Sequence, residues 1–334
     1  DLFLIKMDQQ GEVTWKKTYG GSADDFGFSL LETPEGGFVL MGYSNSQDGD
    51  VPPTMGYHDN WIIKVDASGR VIWKKSMGYS GHDHAYNVIL SSDGGYFLNG
   101  FLDVTASNGK GNSGKSNQAN RHGVGEFWCH KIDADGNIQW QRYFGGTNND
   151  RSYDAIQTRQ GNFLVVGTSE SEDVDVKNPE GGYDVWVVMV SPSGELIWEN
   201  SYGGSLVDEA SKVIEDSYGN FRIIGNTHSK DMDVTNAKGS SDVWQITLDK
   251  SGKLINSYNF GGSDFDRGTA ISEGQWGELF ITGYSRSING DMISNQGEND
   301  IFLIYSPDPR SNFKTISVGG EGQDFAYDIL IQSD

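Results

Sequence analysis

Apolar residues in this chain come in runs of about four to eight, rich in Val, Ile, Phe, Tyr and Trp and separated by Gly, Asn and Asp. That is the pattern of short strands. One series shows the unit: residues 152–158, a Gly-rich turn, 163–166 closed by Gly167, then 184–190, a hairpin and 195–202. Apolar positions do not keep helical spacing. The unit then repeats. Asp25, Asp83, Asp150, Asp208, Asp266 and Asp324 each end a Gly-x-x-x-x-Asp element, at intervals of 58, 67, 58, 58 and 58 residues. Asp1, Asp59, Glu126, Asp184, Asp242 and Asp300 keep the same phase, as do Gly42, Gly100, Gly167, Gly225 and Gly283. A strict period with one nine-residue insertion marks one supersecondary unit copied six times.

Four strands per unit predict a propeller blade, because a twisted four-stranded sheet buries its faces only against like neighbours. The expected fold class is therefore all-β: a six-bladed β-propeller forming a single domain over residues 1–334. Five blades are complete. The sixth is expected to be shared by the termini, since the chain opens in a third strand (1–6) and ends after a first strand (325–331). Seven or eight blades in a longer native chain are the alternative. Trp61, Trp128, Trp186 and Trp244 share one phase, with Phe3 and Phe302 as equivalents, and Trp15, Trp73, Trp140 and Trp198 share another. Placement in nearly every repeat points to packing between blades rather than to sugar stacking. Trp276 alone is off-pattern.

The run from Asp59 to Trp73 (DNWIIKVDASGRVIW), with the Gly-Gly-Ser/Thr-x-x-Asp and Asp/Glu-Gly-Gly-Tyr/Phe elements, resembles the bacterial SBBP-type β-propeller repeats. It is also similar to repeats of large secreted surface proteins of Bacteroidetes-type bacteria. The resemblance covers the whole chain. It implies a propeller, a secreted or cell-surface location in a Gram-negative bacterium, and a place in a larger multidomain protein. The Asp-x-x-Gly-x-x-x-Trp hairpins, such as Asp66/Gly69/Trp73, also resemble the Asp-box turn of sialidases, but any tight hairpin wants an Asx and a Gly.

Charge narrows the partners. A net charge of -22 disfavours nucleic acid and anionic membrane surfaces. No apolar run approaches the roughly 18 to 20 residues of a membrane helix. Residue 1 is Asp, so a processed or trimmed product of a longer chain is expected. Cys129, the single cysteine, excludes an internal disulfide and sits at the core phase of Leu4, Ile62 and Val187.

Three groups of residues carry candidate chemistry. The first is the pairs Asp48/Asp50, Asp173/Asp175 and Asp231/Asp233, with Asn289/Asp291 in the same phase; they offer hard oxygen ligands suited to calcium, or close their own loops as Asx turns. The second is the six Asp of the Gly-x-x-x-x-Asp element, read as structural ties to buried amides, with a central cation as the alternative. The third breaks the repeat. The 103–125 loop loses its acidic pair and carries Lys110, Lys115, Arg121 and His122, while adjacent loops bring Tyr57, His58, His82 and His84. These residues form a ligand-contact region or a transition-metal site. His130, in phase with Ile63, reads as core. No nucleophile–base pair stands at a recognisable spacing, and the arginines share no phase, so no catalytic residue is assigned. The reading favoured is a non-catalytic module presenting one loop face to a glycan or protein, for adhesion or assembly. The alternative is a carbohydrate-active hydrolase or lyase with its site in a central funnel.

Overall fold

The computed structural model describes residues 1–114, 121–307 and 313–331. Their regular structure is entirely β. A two-stranded sheet of β1 (Leu2–Met7) and β2 (Val13–Tyr19) is followed by β3 (Asp25–Glu32), β4 (Phe38–Ser44), β5 (Asp59–Val65) and β6 (Val71–Met77). The next sheet holds β7 (His84–Leu90), β8 (Tyr96–Leu102), β9 (Glu126–Ile132) and β10 (Ile138–Phe144). Then come β11 (Asp150–Gln157), β12 (Phe163–Ser169), β13 (Asp184–Val190) and β14 (Leu196–Tyr202). The fourth set is β15 (Asp208–Glu215), β16 (Phe221–Thr227), β17 (Asp242–Leu248) and β18 (Leu254–Phe260). The last is β19 (Asp266–Glu273), β20 (Leu279–Ser285), β21 (Asp300–Ser306) and β22 (Lys314–Val318). Five sheets are thus four-stranded, with strands ordered as in the chain and successive strands antiparallel. This is the blade plan of a six-repeat β-propeller.

The residues cluster in two compact units. The first contains residues 1–157, 173–175 and 192–195, and the second 158–172, 176–191 and 196–334. Within each unit the first strand of one sheet packs over the first three strands of the sheet before it. Val39, Met41 and Ile62 meet Ala85, Val88 and Leu98 in the first unit, and Ile224 and Val243 meet Ile271 and Ile281 in the second. The third strands β9, β13 and β17 are buried along their whole length, which is why third strands read as nearly continuous apolar runs. Trp61, Trp128, Trp186 and Trp244 are fully buried there. Each such side chain contributes roughly 1.5 to 3 kcal/mol or more by leaving water.

The other Trp set ties repeats together. Trp15, Trp73 and Trp140 donate their indole N–H to the carbonyls of Ala67, Ala134 and Pro192 in the hairpin of the following repeat. Cys129 and His130 are buried, as their phase predicts.

The sixth repeat differs from expectation at one place. Residues 325–331, expected as a first strand, form no strand. Asp324 still accepts the Gly320 amide at 2.8 Å, and Thr269 donates to the Ala326 carbonyl at 2.8 Å, so the segment lies along β19. In a complete sheet the first strand gains its ladder from the second. The equivalent of Gly283 one period later falls past Asp334.

Candidate functional site

The six periodic Asp are buried or partly buried acceptors. Asp25, Asp150, Asp208 and Asp266 accept the amides of Gly21, Gly146, Gly204 and Gly262 at 2.8 Å each, and Asp83 accepts that of Tyr79 at 2.6 Å. The second oxygen takes a hydroxyl at the end of the second strand: Ser44 for Asp25, Thr227 for Asp208 and Ser285 for Asp266. One carboxylate thus closes the turn entering each sheet and pins it to the neighbouring strand.

The acidic loops engage the same turns. Asp48, Asp173 and Asp231 accept the amides of Ser22, Thr147 and Ser205 at 2.7, 2.9 and 2.8 Å, and Asn289 accepts that of Ser263 at 2.8 Å. Asp175 and Asp291 face the amides of Gly145 and Gly261 at 3.3 and 3.1 Å. Asp50 bonds the Gly20 carbonyl through its own amide. Asp233 is half-buried beside Asp208, and burial raises its pKa. In the same neighbourhood burial, then Asp233, Asp184 and Asp208, push Glu180 up to about 7.

The inserted loop is anchored through its backbone. Ser113 donates its amide to the Gln141 carbonyl at 2.9 Å and accepts the Gln141 amide at 3.0 Å, covering the outer edge of β10. Trp128 and Tyr143 donate to the carbonyls of Gly111 and Gly109. His122, expected as a ligand contact, is instead buried, its Nδ1 3.1 Å from Glu126 and its ring against Tyr143. Burial pushes it down to about 4, so it is a neutral internal partner. Lys110 and Arg121 are exposed; Lys115 lies outside the described residues. The loop meets the histidine loop through Asp103 and Ala106, which lie against Gly81.

The remaining expected residues do come together. Tyr57 donates its amide to Gly81, and Asp83 donates to His58, setting the two loops side by side. His58 Nδ1 lies 3.3 Å from His84 Nε2 and 3.2 Å from His82 Nδ1. His84 stacks on Tyr43 with centroids 3.9 Å apart at 11°, and Tyr57, 71% exposed, stacks on His82 at 5.3 Å and 13°. Burial pushes His84 down to about 3, and His58, His82 and Arg151 act in the same direction.

Around this trio lies an aromatic face that the sequence reading did not single out. Tyr43 touches Phe26 and Phe28, Phe28 touches Tyr86, and Tyr86 touches Phe101 and Tyr153, with Arg151 5.0 Å over Phe101. Phe26 is 45% exposed and Phe28 50%. A recurring β-bulge builds it. Gly27 pairs with Gly42 and Ser29 with Met41, leaving Phe28 opposite no residue; Tyr86 is skipped in the same way between Ala85 and Asn87. Bulges re-aim side chains beside functional sites. They also explain the periodic Gly: a Cβ on Gly42 or Gly100 would overlap the carbonyl oxygen of Phe26 or His84. The signal lay in the phase of the bulge, where Phe28, Tyr86 and Tyr153 give way to Ser211 and Thr269 before Tyr327.

No protein-family model matches the chain. It is 21% identical over 329 residues to the regulatory protein FlaEY of Caulobacter vibrioides, covering 88% of this chain and 34% of that protein. The chain thus spans about a third of that relative's length. Among solved structures it is similar to the Pan2 WD40 domain of Neurospora crassa, with 10% identity, a TM-score of 0.46, and coverage of 90% of this chain and 81% of that one. It is also similar to a puromycin hydrolase, with 13% identity, a TM-score of 0.44, and coverage of 88% and 37%.

Proposed function

We propose that this chain is a non-catalytic recognition module of a larger secreted or cell-surface protein of a Gram-negative bacterium, akin to the SBBP-type repeats it resembles. It holds a glycan on the aromatic face of residues 1–157. The observation that carries this reading is the connected set Phe26, Phe28, Tyr43, Tyr86 and Tyr153, of which Phe26 and Phe28 are exposed and the tyrosines half-buried. Exposed aromatic planes offer a sugar ring a large apolar contact at low entropic cost, while the adjacent Arg151, Tyr57 and histidines supply polar groups that orient it. The high negative charge of the chain favours a neutral or locally cation-rich ligand over a polyanion.

Screening the chain against immobilised glycans, followed by titration of the best binder, tests the reading. Phe28→Ala and Tyr86→Ala should each weaken binding roughly fivefold or more, the loss expected for an anchoring aromatic. Phe28 is exposed, so its replacement leaves the fold intact. Parent affinity in both variants would move the site off this face. Cleavage of the bound glycan would select the hydrolase or lyase alternative.

A further inference from the structure

Three imidazoles meet at one point. One ring nitrogen each of His58, His82 and His84 lies within 4.8 Å of the other two, a convergence met by no other set of His, Cys, Asp or Glu among the described residues. A neutral imidazole has one N–H and one in-plane lone pair. His58 Nδ1 faces two nitrogens at once, at 3.3 and 3.2 Å. As an N–H it donates to one of them, and as a bare nitrogen its lone pair accepts from one. Hydrogen bonding among the neutral rings therefore leaves one close nitrogen pair unsatisfied. A cation at the centre takes all three lone pairs. Bonds of about 2.0 to 2.1 Å in a tetrahedral zinc centre separate neighbouring nitrogens by about 3.3 Å, the spacing of His58 Nδ1 from each of the other two.

The scaffold that holds the trio is common, and the histidines are not. His58 and His82 are joined as an isolated parallel bridge, and the same bridge joins Tyr183 to Val207, Ser241 to Phe265 and Asn299 to Gln323. The position of His84 is filled elsewhere by Phe26, Arg151, Glu209, Arg267 and Phe325. Only one repeat places imidazole at all three positions. Tyr43 stacks on His84 and touches His58, Phe101 meets the edge of His84, and Tyr57 covers His82. Packing of this kind holds ligand rings in their working direction.

We propose that His58 Nδ1, His82 Nδ1 and His84 Nε2 bind a divalent transition-metal ion of the zinc class, leaving a fourth position for water or a donor atom of a bound ligand. An all-imidazole set suits zinc, copper or nickel and is a poor match for calcium or magnesium, which take oxygen. The proposal does not depend on which glycan or protein the aromatic face receives.

The test is calorimetric titration of chelator-stripped protein with Zn2+ alone. The parent should take up one zinc per chain, and Co2+ in its place should give the visible absorption of a four-coordinate centre. Loss of a mere hydrogen-bond partner to a ligand costs about 10- to 100-fold in metal affinity, so His82→Gln and His58→Gln should each weaken zinc by roughly 100-fold or more. His228→Gln, outside the trio, should leave it unchanged. His82 is exposed, so its variant remains informative even where a His84 variant fails to fold. Absence of saturable zinc uptake by the parent, or parent affinity in His82→Gln, overturns the proposal.

Discussion

A single carboxylate shows how much one periodic residue holds. Asp208 is fully buried and accepts Gly204 N and Ser229 Oγ, each at 2.8 Å, together with Thr227 Oγ1. Asp208→Ala strands those donors without water, and chemical denaturation should show a loss of about 1 to 3 kcal/mol. Asp184, from the other acidic series of the repeat, carries a pH signature. Burial, together with nearby Asp208 and Asp233, pushes it up to about 6. The folded state therefore binds this proton more tightly than the unfolded chain, whose carboxyl titrates near about 3.9. The cost of the buried charge is absent below about pH 4 and complete above about pH 6. Asp184→Asn removes it, so the stability of the variant relative to the parent should rise between about pH 4 and pH 7 in paired melts; a constant difference would refute that. The tie role of the periodic Asp was legible because a polar residue with buried partners needs so strict a spacing. The burial of His122 was not, because its partner Glu126 sits in the phase of the structural Asp59 and Asp184 and signalled no histidine contact.

Strands were the most legible level. Their runs, the Gly-closed second strand and the hairpins could be placed from alternation and turn residues, whereas the bulge could not, since a ladder slip leaves no mark except the Gly opposite it. Gly100→Ala tests that link: the new methyl meets the His84 carbonyl, and the variant should lose about 1 to 3 kcal/mol in denaturant unfolding. Zinc binding in the same variant should weaken as well, because β7 carries His84 and shifts to relieve the contact. The inserted loop has structural contacts that its composition does not announce. Lysine, arginine and glycine suggest a solvated loop, yet its backbone carbonyls and amides are what matter, capping Trp128, Tyr143 and the edge of β10. Replacing residues 104–122 by the shorter loop of a neighbouring repeat should therefore lower the melting temperature by several degrees. An unchanged melt would mean that these contacts add nothing.

For the molecule as a whole, charge is the dominant unbalanced quantity. With 47 acidic against 25 basic residues, exposed carboxylates repel one another, although surface pairs such as Asp66 with Arg70 offset some of them. Raising monovalent salt from about 10 mM to about 150 mM, with chelator present, should raise the melting temperature by screening that repulsion. A fall would mean that surface ion pairs outweigh it. The 58-residue period made the sheet count legible at this scale, because every repeat needs the same neighbours. The period also concealed the site, since residues that vary within an otherwise constant frame look like noise until the frame is built.

The bulge in the first strands β3, β7, β15 and β19 has a consequence for how such a chain changes over time. The residue it expels owes nothing to the ladder: Phe28, Tyr86, Ser211 and Thr269 differ widely while the strands on either side pair alike. Where the expelled side chain makes no tie of its own, as at exposed Phe28, the bulge is a socket whose occupant can be exchanged by one substitution with little effect on folding. A lineage can rewrite what such a surface recognises one blade at a time, while the invariant Gly and Asp keep the architecture constant beneath it.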